Sequence, residues 1–139
     1  MLLNTLNTNE VKDRSGTEIE FNRIKTIDRT TEFSKVGEQP NLPIRLKVSH
    51  QETGQGLKAR RRSVIRFDRT SISGVDSVTP VTNSCYIVLD AAVGAIVNNN
   101  EIADAIAHVL SFCGTTGAAT TVLFDGTGTG AKALLEGAL

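Results

Sequence analysis

The chain has 139 residues, 40% of them apolar and 4% aromatic, with no Trp. That length suits one domain with an aliphatic core. Its 15 cations balance 15 acids, so the net charge draws in no nucleic acid, and any anion binding must come from uneven placement of charge.

The opening "MLLNTLNTNE" has no basic start and no long apolar core, so no signal peptide is expected. No apolar run approaches the ~18 residues that a membrane span needs, so no membrane partner is expected. In "LNTNEVKDRSGTEIEF", Asp13 and Gly16 suit the first and last places of a type I turn, which predicts a hairpin. Ile19 and Phe21 alternate with Glu18 and Glu20, giving one apolar and one wet face. "RTTEFSK" is a further strand, bounded by "VGEQPN".

"PIRLKVSH" puts Ile44, Leu46 and Val48 on one face and Arg45, Lys47 and Ser49 on the other. After the break "ETGQG" comes "LKARRRSVIRFDR", which holds six cations (Lys58, Arg60, Arg61, Arg62, Arg66, Arg69) and one acid, Asp68. In a strand, Ile65 and Phe67 share a face, with Arg62, Val64 and Arg66 opposite. Both strands therefore predict a sheet with one apolar and one cationic face, its charges mostly of one sign.

"SISGVDSVTPVTNS" reads as a polar loop. "CYIVLDAAVGAIV" is the longest apolar stretch and reads as a central strand. Tyr86, Val88 and Asp90 point one way, and Cys85, Ile87, Leu89 and Ala91 the other. Tyr86 then joins the cationic face, where aromatic rings among cations suit stacking on unpaired bases.

The period then changes. "NNNEIADAIAHVLSFCG" offers Asn caps, Glu101 in the first turn, a helical stripe of Ile102, Ile106, Val109, Leu110 and Cys113, and Gly114 as a stop. "GAATTVLFDG" fits a strand or a short helix, and "GAKALLEGAL" a final helical turn or two. Strands first and helices last give the α+β class. We divide the chain into an N-terminal hairpin region (1–27), a main sheet (28–97), a helical region (98–125) and a Gly-rich tail (126–139) of one domain.

"FDGTGTGAKALL" looks like a phosphate loop, but Ala131 precedes Lys132 and Ala133 replaces the hydroxyl that the P-loop pattern requires. A nucleotide-binding enzyme using Gly126–Lys132 is thus a minor reading. His50, His108, Cys85 and Cys113 match no metal spacing, and both thiols read as inert packing groups without disulfides. No catalytic constellation emerges. The expectation is no enzyme, no cofactor and no metal.

Three stretches carry a family resemblance: "TEFSKV", "RLKVSHQETGQGLKARRRSVIRFD" and "SCYIVLDAAVGAIVNNNEIADAIAHVL". Over about Leu3 to Phe112 the order of parts resembles the coat proteins of small single-stranded RNA bacteriophages, the leviviruses. The resemblance implies an N-terminal β-hairpin, a five-stranded antiparallel sheet and C-terminal helices in an interlocked homodimer. Sheets would join edge to edge through the final strands, helices would cross the partner's sheet, and dimers would close into an icosahedral shell. The function implied is a virion capsid that packages a single-stranded RNA genome, assembled in a bacterial cytoplasm, in some members also repressing translation through an RNA hairpin.

Residue by residue, the resemblance implies RNA binding by Arg45, Lys47 and Ser49 on the first facing strand and by Arg62 and Arg66 on the second. Lys58 and Arg60 join them from the cationic segment. Tyr86 matches a base-stacking tyrosine and Asp90 its acidic neighbour. Val88 stands where a polar, base-contacting residue is common, which weakens sequence-specific hairpin recognition and leaves general packaging intact. Ser71 to Asn83 matches the loop that meets its copies at symmetry axes, with Ser71, Gly74, Asp76, Thr79 and Pro80 as contacts. A cellular RNA-binding regulatory dimer is the alternative reading of the same basic sheet.

Overall fold

A computed structural model describes residues 2–96, 98–115 and 122–137. The chain forms two compact units, Met1–Asn7 with Glu20–Ile96 and Thr8–Ile19 with Val97–Leu139.

The first unit is an antiparallel sheet whose six strands lie in chain order: β1 (Thr5–Leu6), β2 (Phe21–Ile27), β3 (Thr30–Lys35), β4 (Ile44–Thr53), β5 (Arg60–Ile72) and β6 (Pro80–Ala91). Five strands were expected. The sixth is β1, two residues long, which sets Leu6 opposite Phe21. The strand expected at "TEIEF" begins only where that run ends, at Phe21, and continues to Ile27. In β2 the register shifts between Arg23 and Lys25, so Arg23 lies opposite Phe33 while Lys25 lies opposite Glu32. The extra residue, Ile24, is a bulge, and it turns Lys25 to the other face of the sheet.

Why the core sits at one end follows from the register. Phe21 and Phe33 are fully buried, Leu6 nearly so, and Arg23 lies 5.8 Å above the Phe33 ring. Phe21 meets Phe67 edge to face at 5.6 Å, the arrangement favoured by the ring quadrupoles. The apolar face continues in two rows, Phe33–Leu46–Phe67–Cys85 and Thr31–Val48–Ile65–Ile87. Among the described residues the only other buried apolar side chain is Ala91. Cys85 therefore lies on the expected face, but in the single chain it is exposed rather than buried.

Half of the polar stretch expected as a loop, residues 71–84, is strand. β5 runs through Ser71 to Ile72 and β6 starts at Pro80, with Thr70 opposite Thr82 and their hydroxyls 2.8 Å apart. Thr and Val suit the pleated surface, so only residues 73–79 remain to turn. There Ser73 donates its N–H to the Thr79 carbonyl at 2.8 Å.

The second unit holds the predicted hairpin and two helices. Gly16 N–H donates to the Asp13 carbonyl at 3.0 Å and Asp13 N–H to the Thr17 carbonyl at 2.9 Å. Gly16 has φ +83°, the left-handed position that closes a three-residue hairpin loop. α1 spans Asn100–Cys113 and α2 Thr129–Glu136. The N-cap residue Asn99 makes no side-chain cap hydrogen bond, and the Asn98 side chain instead accepts from Asn100 N–H at 2.9 Å; Gly114 N–H closes the last turn on Leu110 at 3.0 Å, as the stop residue predicts. Within "GAATTVLFDG", residues 117–121 lie outside the described residues, and 122–125 form no regular element.

Candidate nucleic-acid interface

The ladders set three strands' worth of polar side chains on one face. Arg45, Lys47 and Ser49 on β4 lie opposite Asp68, Arg66 and Val64 on β5, which lie opposite Ser84, Tyr86 and Val88 on β6. One row further, Gln51, Arg62 and Asp90 align, and Arg60 follows opposite Thr53. Arg61 and Arg69 fall on the other face, opposite Ala91 and Asn83. Lys58 sits apart from the ladder, in a short 3-10 turn, Gly56–Lys58. The residues singled out in β4, β5 and β6 thus form one surface, with Tyr86 61% exposed beside Arg66.

The surface is not of one sign. Lys25 and Glu32, which sequence reasoning did not single out, belong to it. Lys25 reaches it through the bulge in β2, which no periodicity reveals. Glu32 was legible in principle, since "TTEFSK" alternates, but its cross-strand partners were not. Glu32 meets Lys25 at 2.9 Å, Lys47 at 3.7 Å and Arg45 at 3.8 Å, while Arg45 also pairs with Glu38. On β5, Arg66 Nε donates to both oxygens of Asp68, at 2.9 and 3.0 Å, and Ser84 donates its hydroxyl to the same carboxylate. Arg60 Nε donates to Asp90 at 2.9 Å.

These contacts set two of the carboxyl groups. Burial pushes the Glu32 carboxyl up, but the Lys25 hydrogen bond and the charges of Lys47, Lys25 and Arg45 together win, and it lies below its ordinary value. The Ser84 hydrogen bond, helped by Arg66, holds Asp68 below its ordinary value against the cost of burial. Both acids are thus ionised at neutral pH.

The turn at 73–79 is locked by Asp76. Its carboxylate accepts from the N–H groups of Val78 and Thr79, both at 3.0 Å, and from the Thr79 hydroxyl. The Thr79 hydroxyl, with those backbone donors, lowers its pKa from 3.8 to about 2. Of the residues expected to meet their copies, Gly74, Asp76 and Thr79 lie in this turn, while Ser71 and Pro80 lie in strands. Val75 and Val78 are 97% and 75% exposed at its tip.

The glycines of "FDGTGTGAK" have another use than phosphate binding. A Cβ on Gly128 would stand 1.9 Å from the Gly114 carbonyl oxygen, and one on Gly130 would stand 2.4 Å from the Phe112 ring. The spacing lets the start of α2 lie directly on the end of α1. His50 Nδ1 lies 2.8 Å from the Ser63 hydroxyl on the apolar side of the sheet.

No family model matches the sequence, and neither does any curated protein. Solved structures do match. A structure described as the coat protein of bacteriophage EMS014 superposes with a TM-score of 0.63 at 13% identity, over 87% of each chain. A virus-like particle of bacteriophage AVE015 superposes with a TM-score of 0.57 at 12% identity, over 100% of this chain and 90% of that one. Sequence identity this low with geometry this close identifies an architecture, and the architecture of this chain is the bacteriophage coat-protein fold.

Proposed function

We propose that this chain is a capsid protein that pairs through β6, assembles into a closed icosahedral shell and holds single-stranded RNA on its basic sheet face. The observation that carries the reading is the last strand. β6 has 12 residues, it pairs with β5 on one side, and among the described residues nothing pairs with its other side. A long unpaired edge is a template for another strand. A second β6 laid against it would join two sheets into one.

The apolar surfaces agree. Ile65 and Ile87 are 50% and 39% exposed on the sheet, and Ile106, Val109 and Leu110 are 37%, 52% and 38% exposed on α1. Same-face residues recur about every 7 Å along a strand, so the two apolar rows make a strip about one helix wide. A helix of 14 residues is about 21 Å long and crosses about four strands. A helix from a partner chain laid across the strip would cover both sets of side chains. Burying them in a second copy gives an obligate interface, more apolar than a transient one.

On the opposite face, Arg62, Arg66 and Tyr86 offer two cations and a ring beside the pairing edge, a surface suited to phosphates and an unpaired base. This function involves no catalysis. Electron microscopy and sedimentation of the purified protein test it together: closed particles containing RNA, with dimers as the smallest stable species, are expected. A well-folded monomer at micromolar concentration would overturn it.

A further inference from the structure

Among the described residues Glu32 is the only charged one that is buried, 8% exposed. An acid is an unexpected neighbour for RNA. It lies on the same side of the sheet as Arg45, Lys47, Arg62, Arg66 and Tyr86, opposite Lys47 in the ladder. Three of the face's cations surround it, and one of them, Lys25, is brought there only by the bulge at Ile24. The bulge re-aims the rest of β2, Lys25 to Ile27, and so carries Lys25 to Glu32. The other end of the face differs at Arg62, since Arg66 is held by Asp68 much as Lys25 is held by Glu32. Among the described residues Arg62 has no ion-pair partner, and Asp90, its cross-strand neighbour, is held by Arg60 instead.

We infer that Glu32 restricts where RNA lies on this face: it keeps Lys25, Arg45 and Lys47 as its own counter-ions and leaves phosphate to the Arg62–Tyr86 end beside β6. The inference rests on the reading that RNA occupies this face. A phosphate brought to Lys25 or Lys47 must come close to a fixed carboxylate with which it competes for each lysine. At Arg62 it meets no such carboxylate. The acid thus sets the footprint, and through it the number of phosphates each subunit neutralises.

That number is read from salt. For single strands the slope of log K against log salt falls by about 0.7 for each phosphate that the protein no longer neutralises. The probe is an oligouridylate, titrated against the full chain at several salt concentrations. Arg62→Gln is expected to lower the slope by about 0.7, and Lys25→Gln to leave it unchanged. Glu32→Gln is expected to tighten binding and steepen the slope by about 0.7 to 2, for one to three freed cations. In the Glu32→Gln background, Lys25→Gln should then cost affinity that it does not cost alone. Lys25→Gln weakening the otherwise wild-type protein as much as Arg62→Gln would overturn the inference, as would a Glu32→Gln protein with unchanged slope. An Arg62→Gln protein that binds like wild type would take RNA off this face and remove the underlying reading as well. If Glu32→Gln does not fold, Lys25→Gln against Arg62→Gln decides alone.

Discussion

The two ends of the sheet are built to different standards. At the β1–β3 end, Leu6, Phe21, Glu32 and Phe33 are all buried, and the edge is closed off by the two-residue β1. At the other end β6 is 12 residues long, and of these only Ala91 is buried. One end is complete within a single chain. The other has the composition of an interior without the cover of one, which is what a subunit looks like when its core is finished by a neighbour. Most of the stability of the free chain must therefore come from the β1–β3 end, and under the proposed pairing most of the assembly energy would come from the β6 end.

That division can be broken from either side. Phe33→Ala empties a fully buried site, and large-to-small changes of a core Phe cost about 3–5 kcal/mol. Denaturant unfolding should show the loss in dimer and particle alike. Ile65→Asp, at a position half exposed in the single chain, should leave that local packing intact. It should weaken self-association by about 3 kcal/mol or more, since it removes a buried side chain and buries a charge. Size exclusion should then show folded protein without particles. If Ile65→Asp unfolded the chain as Phe33→Ala does, the two ends would be equally complete and the comparison would fail.

Tyr86→Ala tests the basic face rather than the apolar one. Loss of a stacked base costs about 1–3 kcal/mol in RNA binding, with no change in particle formation on empty or unrelated RNA. Equal affinity of wild type for cognate and scrambled hairpins would leave packaging without sequence recognition, as Val88 suggests.

The smallest effect is that of acid. Glu32, Glu38, Asp68 and Asp76 all have carboxyls lowered in the folded chain, Asp76 from 3.8 to about 2. A carboxyl with a folded pKa below its unfolded one stabilises fully above the unfolded value, and that stabilisation is lost as pH falls through the folded one. Melting temperature should be flat above about pH 5 and fall between about pH 4 and 2. Asp76→Asn should remove the part of that fall that belongs to the turn at 73–79. Unchanged pH dependence in that variant would show that the Asp76 contacts do not hold the turn in solution.

Much of this was legible. The alternation of β4 and β5 is clean because each strand has one wet and one dry face, so Lys47, Arg62, Arg66 and Tyr86 could be put on one surface from spacing alone. α1 announced its own ends through Asn and Gly. What was hidden depended on neighbours. A bulge at Ile24 leaves no mark in composition, yet it decides which face Lys25 takes. Glu32 is surrounded by cations from two other strands, and only register brings them together. The stretch between β5 and β6 is polar enough to read as a loop, but Thr70 and Thr82 pair across strands and carry the ladder into it. The glycines near the C-terminus resembled a phosphate loop because close helix packing and phosphate binding both demand a missing Cβ.

Cys85 gains a second meaning from the unequal ends. Its thiol sits in the apolar row with Phe67, on the strand whose outer edge is unpaired among the described residues, and is exposed in the chain. A cover that closes over this row closes over the sulfur too. In the proposed particle, the rate at which a small alkylating reagent consumes that thiol would be a clock for subunit exchange, read against the second free thiol, Cys113.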